Sequence, residues 1–289
     1  MRSIALINQK GGVAKTTTTV NLGAALAARG KKVLVADMDP QANLTSWLLG
    51  HASEGLEDTM AEILQGEARL GDVITQTRVE GLDLLPSDLR LTSLEKSLAG
   101  EIGGETILKR ALDQAELAPQ LGDPNFDLYD YFLIDCPPSV GMLTVNSLCA
   151  VEEVIIPVQA HVLSLNGVAS LRQVIEVIQK RLHPELEIAG LLLVMVNSRT
   201  KLSREIEESA RRHFGDLVFN TMIRECIRLA ECPSHFTPIH EYASTSTATK
   251  DYFKLADEVI AGEKEPVRFE LPDFSLPEEI IYGPKTSHG

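Results

Sequence analysis

Positive charge is what this chain has least of: Lys and Arg number 27 against 41 Asp and Glu, for a net charge of −14. A protein that coats nucleic acid with its whole surface needs the opposite balance, because phosphate contacts are made by Lys and Arg. Any such contact must therefore come from a local patch. Long apolar runs are also missing. No stretch approaches the ~20 consecutive apolar residues of a membrane span, and the first run, Ile4 to Ile7, is too short for a signal peptide. The four cysteines, Cys136, Cys149, Cys226 and Cys232, lack C-x-x-C spacing. That argues against a zinc knuckle or dithiol centre and for reduced thiols in the cytoplasm.

What is present is a 289-residue chain with 44% hydrophobic content, enough to bury one large core. Short runs rich in Val, Ile and Leu at 3–8, 32–37, 82–86, 131–135, 153–157 and 188–197 read as strands. Helical spacing of apolar residues marks 17–29, 165–182 and 203–214. Strands alternating with helices predict an α/β fold: one domain over residues 1–262, with a mostly parallel twisted sheet flanked by helices on both faces. Loops at the strand C-terminal ends then share one edge, where ligands bind in such sheets. Residues 100–104 read as a surface loop, and 263–289, with Pro266, Pro272, Pro277 and Pro284, as an extended tail.

The first strand runs into Gln9-Lys10-Gly11-Gly12-Val13-Ala14-Lys15-Thr16, and a helix follows. Strand, glycine-bearing loop and helix start offer a concave row of backbone N–H groups and a positive dipole end, both attractive to phosphate. Lys15 is placed to reach the β- and γ-phosphates and the Thr16 hydroxyl to ligate Mg²⁺. The pattern G-x-x-x-x-G-K-[ST] is missed at its two outer glycines, here Gln9 and Ala14. Lys10, Gly11, Gly12, Lys15 and Thr16 instead match the variant K-G-G-x-x-K-[ST]. In this the chain resembles the ParA/MinD family of ATPases, P-loop NTPases with a deviant Walker A loop. The resemblance implies ATP and Mg²⁺ as ligands, held by Lys10, Gly11, Gly12, Val13, Ala14, Lys15, Thr16 and Thr17. It also implies that Lys10 reaches across a homodimer to the partner's nucleotide, so that Lys10 and Lys15 both serve catalysis. Ala14 stands where the family usually has glycine. If its φ is positive, the Cβ costs about 1 kcal/mol, roughly a fivefold loss of affinity, so weakened nucleotide binding is expected.

Asp37-Met38-Asp39-Pro40-Gln41-Ala42-Asn43 resembles the D-x-D-P-Q-x-N switch of ParA proteins. The resemblance gives Asp39 the orientation of the attacking water and Asp37 a place in the Mg²⁺ shell; a helix cap is the other reading of Asp39. The apolar run 131–135 ends in Asp135, a Walker B arrangement in which the acid holds Mg²⁺ through water, and Asp-Cys-Pro-Pro-Ser-x-Gly is similar to the second ParA switch. Cys136 reads as packed core, and the glycine-rich settings of cluster-bridging cysteines in nitrogenase iron proteins are missing around it.

Further along, Asn197 at a strand end resembles the adenine-reading Asn of the MinD branch. The stretch 221–235 looks like P-R-N-V-R-L-S-E-A-P-S-H of ParA, with Arg224 for Pro and Cys226 for Asn; His161 stands for a usual Glu and is given no chemistry. Arg199 and Arg228 fall where chromosomal ParA proteins bind DNA non-specifically, with Lys201, Arg204, Arg211 and Arg212 near the first. A solvated face paired with Glu205, Glu207 and Glu208 is the alternative. A first strand starting near Met1 leaves no room for the operator-binding domain of larger plasmid ParA proteins. Residues 270–289, with four acids and one Lys, do not resemble MinD's membrane helix. The expectation is a weak, partner- and DNA-stimulated ATP hydrolase. It would dimerise on ATP, bind double-stranded DNA at the nucleoid and segregate chromosome or plasmid DNA with a ParB-like partner. Positioning of a protein cargo, or a nucleotide-dependent scaffold with incidental hydrolysis, are the alternatives.

Overall fold

The computed structural model describes residues 1–117, 129–159, 164–197 and 199–262. Within them the chain runs β1 (Arg2–Leu6), α1 (Lys15–Ala28), β2 (Val33–Asp37), α2 (Asn43–Leu49), α3 (Met60–Gln65), α4 (Leu70–Val73), β3 (Thr75–Gln76), β4 (Leu82–Leu85), α5 (Arg90–Leu98) and α6 (Ile107–Leu117). It continues through β5 (Tyr131–Asp135), α7 (Met142–Cys149), β6 (Glu153–Gln159), α8 (Ser164–Arg181), β7 (Glu187–Val194), α9 (Lys201–Phe214), α10 (Ile227–His235), α11 (Ile239–Tyr242) and α12 (Thr247–Ala261). The sheet order is β3-β4-β2-β5-β1-β6-β7, parallel except where β3 pairs antiparallel with β4.

Side chains alternate across a strand, and here that period sorts the core into two layers. Leu34, Ala36, Phe132 and Ile134 face one layer, with Leu143 and Leu148 of α7. Val33, Val35, Tyr131 and Leu133 face the other, with Val20, Leu22 and Leu26 of α1 and Tyr252 and Leu255 of α12. Gly23 lets α1 lie close on the sheet, since a Cβ there would come within 3.1 Å of Leu82 and 3.2 Å of Val35. The connection leaving β1 thus covers one face and the connection leaving β5 the other. Their C-terminal ends, which are neighbours, flank the crevice where ligands bind in open α/β sheets.

All six expected strands form, 131–135 with the ends expected and the other five with shifted ends. The last stops at Val194 rather than 197, because Met195 turns to φ 53° and breaks the ladder. The first stops at Leu6, although Ile7 N–H still reaches Ile155 O at 3.1 Å. Strand β3 was not foreseen, since two residues carry no readable period. His161 and residues 263–289 lie outside the described residues. No helix among the described residues is long and apolar enough to cross a membrane.

Candidate functional site

Residues 8–14 link β1 to α1 as a tight loop held from beneath by Asn8. The Asn8 amide donates to Pro157 O at 2.7 Å and accepts Lys10 N–H at 3.0 Å, tying the loop to the end of β6. Gly12 takes φ 73° and Ala14 φ 59°, so the condition set for Ala14 is met: a Cβ sits in the left-handed region just before α1. Gly11 and Gly12 are exposed, and so is Lys10.

Lys15 is 7% exposed and curls into the loop, donating from Nζ to Asn8 O at 3.1 Å and Lys10 O at 3.4 Å. Burial pulls its pKa down, opposed by the charges of Asp135 and Asp39. Thr16 Oγ1 donates to Asp135 Oδ2 at 2.5 Å, joining α1 to the end of β5. Register places Asp135 level with both Leu6 and Asp37, so two carboxylates stand on neighbouring strands. Both are completely buried. Burial first and the charge of Asp37 second raise the pKa of Asp135 well above the usual range, against the pull of Thr16 and Lys15. Burial lifts Asp37 to about 7, despite its hydrogen bonds from Thr45 and Asp39. Asp135 Oδ1 is buried, with no hydrogen-bond partner among the described residues. An ammonium, a hydroxyl and a carboxylate oxygen left without a partner among the described residues, beside an exposed glycine-bearing loop at a helix start, are a donor set suited to phosphate plus a divalent cation.

Asp37 and Asp39 prove to have different settings. Asp37 Oδ2 accepts Thr45 N–H at 2.9 Å and Thr45 Oγ1 at 2.8 Å, and Oδ1 accepts Asp39 N–H at 3.1 Å. Asp37 therefore secures the first turn of α2, the job that had been weighed for Asp39. Asp39, 9% exposed, accepts Gln41 N–H at 2.9 Å, and Ser87 Oγ donates to its carbonyl at 2.7 Å. Asn8, Thr45 and Ser87 had escaped the reading of the sequence. A lone Asn, Thr or Ser at the end of a strand or the start of a helix is common, and only the fold shows what it touches. Cys136 is packed core as expected, buried with its thiol pushed up to about 12 by desolvation.

Comparison with known proteins agrees with this geometry. Residues 1–188 match the AAA_31 family, described as an AAA domain. The chain is 43% identical over 259 residues to the sporulation initiation inhibitor protein Soj of Bacillus subtilis, covering 90% of this chain and 98% of that one. It is 39% identical to the chromosome partitioning protein ParA of Caulobacter vibrioides, over 92% and 96% of the two chains. The chain belongs to the ParA/Soj family of chromosome-partitioning ATPases. Among solved structures it resembles cobyrinic acid a,c-diamide synthase of Mycobacterium smegmatis with bound ATP analog and magnesium. There the TM-score is 0.75 at 34% identity, over 93% of this chain and 100% of that one.

The far edge of the sheet departs most from the ParA pattern. Asn197 follows β7, half-buried, donating from Nδ2 to Glu225 at 3.1 Å and accepting Arg199 N–H at 3.3 Å. A bridge between Val196 and Arg224 sets residues 196–197 beside 223–225. Arg224, in the family's usual Pro position, donates its backbone N–H to Asp251 Oδ2 at 3.1 Å, and its guanidinium grips both oxygens at 2.9 and 2.6 Å. Proline could make neither contact. Arg199 and Arg228 are exposed, Arg228 lying 3.8 Å from Glu231. Lys201 and Arg211 pair with Glu205 and Glu207 on their own helix, each at 3.2 Å, so these two follow the solvated-face alternative.

Proposed function

We propose that the protein is an ATP-dependent dimerising switch that binds DNA non-specifically and segregates or positions it with a ParB-like partner. The observation that carries the nucleotide half is the contact of Thr16 with Asp135, whose other oxygen has no partner among the described residues. ATP would supply the phosphoryl group, and Mg²⁺ with the loop's donors would offset its charge. Lys10, Gly11, Gly12, Val13, Ala14, Lys15, Thr16 and Thr17 hold the phosphates, Lys15 and Thr16 from within this protomer. Thr16 and Asp135 hold the cation, and its charge relieves the repulsion between Asp135 and Asp37. Since both oxygens of Asp37 already accept hydrogen bonds, it orders the switch and acts on the cation at most through its charge. Asp39, at the mouth, orients the attacking water. Asn197 reads the base edge.

Exposed Lys10 is free to extend to a second protomer, which makes ATP the condition for pairing. Arg199 and Arg228 contact DNA phosphates, and counterion release makes that binding salt-sensitive and sequence-blind. An acidic cytoplasmic protein can hold the nucleoid in this way only through such a patch.

Light scattering of an Asp39→Ala variant with MgATP tests the pairing: a dimer is expected, and a Lys10→Ala change should return it to monomers. Single molecules throughout would overturn the ATP-bridged pair. DNA retention in the presence of MgATP, compared with its absence, tests the second half. Equal retention in both would favour a scaffold over a switch.

A further inference from the structure

We propose that Ser87 and Thr45 are positioning residues for Asp39, forming a buried brace that sets the height of its carboxylate at the mouth of the site. The inference rests on the water-orienting role given to Asp39 above.

Asp39 lies in the irregular segment between β2 and α2, where the sheet ladder has ended and the helix has not begun. Its peptide is nevertheless gripped at both ends. Its N–H donates to Asp37 Oδ1 at 3.1 Å, and its carbonyl accepts Ser87 Oγ at 2.7 Å and Ala42 N–H at 2.9 Å. Thr45 closes the circuit: Oγ1 donates to Asp37 Oδ2 at 2.8 Å and accepts Ser87 N–H at 2.9 Å. Asp37, Asp39, Ser87 and Thr45 thus form one ring of hydrogen bonds joining the ends of β2 and β4 to the start of α2. The two hydroxyl residues are 2% and 1% exposed. Among the described residues their side-chain hydrogen bonds go to this ring and not to the phosphate loop.

The brace has a footing outside the site. Pro86 O accepts Met60 N–H at 2.8 Å, and Asp88 accepts from Thr59 Oγ1 at 3.0 Å and from Arg90 at 2.8 and 2.6 Å. Arg90 also donates to Glu62 at 2.5 Å, so the turn carrying Ser87 is fastened to α3. A buried hydroxyl that donates to a backbone carbonyl fixes that peptide plane, and with it the ψ of the residue that bears the carbonyl, here Asp39, whose side chain projects from the same Cα. Small displacements of a water-orienting carboxylate are costly, since an error of ~1 Å can lower turnover on the order of 10²-fold.

The test is ATP turnover by the full-length protein, alongside titration with labelled ATP and thermal melting. Ser87→Ala and Thr45→Val each remove one hydroxyl, Thr45→Ser restores it, and Asp39→Ala is the reference. The expected result is kcat lower by about 10- to 100-fold in Ser87→Ala and Thr45→Val, with Kd for ATP within about twofold of the parent. Thr45→Ser should recover kcat to within about threefold. Parental kcat in both hydroxyl-free variants, with Asp39→Ala inactive, would overturn the proposal and leave the role of Asp39 standing. So would a loss divided between kcat and Kd that accompanies a lower melting temperature and is not rescued by Thr45→Ser. Asp39→Ala turning over at the parental rate would instead overturn the role of Asp39, and the brace with it.

Discussion

The phosphate-loop end of the sheet and its β7 edge are built on opposite principles. At the first, Lys15 at the start of α1 and the carboxyl groups of Asp37 and Asp135 on strand ends are taken out of water and brought together. At the second, Arg199, Arg228, Lys201 and Glu225 stay in solvent. A buried charge has few acceptable neighbours, so its environment restricts what it can do; an exposed one keeps its hydration and tolerates exchange. Most of the matched ParA residues lie in the first region, Ala14 being its departure, while the second combines the matched Arg199 and Arg228 with the departures Arg224 and Cys226. Arg224 shows that a departure can bring its own support, through Asp251.

Breaking the contrast at its buried end should have the largest effect. Lys15→Ala removes the buried charged donor proposed to hold the phosphates, and titration should show ATP binding weakened about 100-fold or more. Retained binding would mean that burial of this ammonium serves folding alone. Next in size, Arg199→Glu with Arg228→Glu should weaken DNA binding at least about tenfold and flatten its salt dependence by about two contacts, with ATP affinity unchanged. DNA retention equal to the parent would leave those arginines as solvated surface.

The buried carboxylates sharpen the comparison through pH. Their folded pKa values are raised, Asp37 to about 7 with Asp135 also well above the usual range, so the folded state holds protons that the unfolded chain has released. The stability they contribute is present below the unfolded carboxyl pKa and is lost as pH rises through the folded values. Melting temperature of the nucleotide-free protein should therefore fall between pH 5 and pH 8, less so in Asp135→Asn, and MgATP should restore more at pH 8 than at pH 5. A flat profile would show that the pair is already neutralised within the protein. The smallest effect is expected from Ala14→Gly, which relieves a left-handed Cβ and should tighten ATP binding about fivefold.

Much of the site was legible because it is local in the chain. Lys10 to Thr17 are contiguous, and Asp37 and Asp135 each end an apolar run, so strand period and motif spacing were enough to find them. The adjacent stations of Asp37 and Asp135 were not legible, since they depend on β2 and β5 pairing across nearly a hundred residues. Nor did the sequence show that Asp37 secures the helix that follows, since the cap had been weighed for Asp39 and Asp37 assigned to the Mg²⁺ shell. The isolated residues Ser87 and Asn8 carried no pattern at all.

By itself, then, the order of residues determined the alternating α/β plan, the phosphate loop and the family. The plan follows from periodicity, the loop from chemistry between near neighbours, and the family from the resemblance of its motifs. Only the tertiary structure decided that Ala14 is left-handed, that Asp37 rather than Asp39 secures α2, and that one oxygen of Asp135 has no partner among the described residues. Each of these depends on what is brought alongside from elsewhere in the chain, and on how much water is thereby excluded.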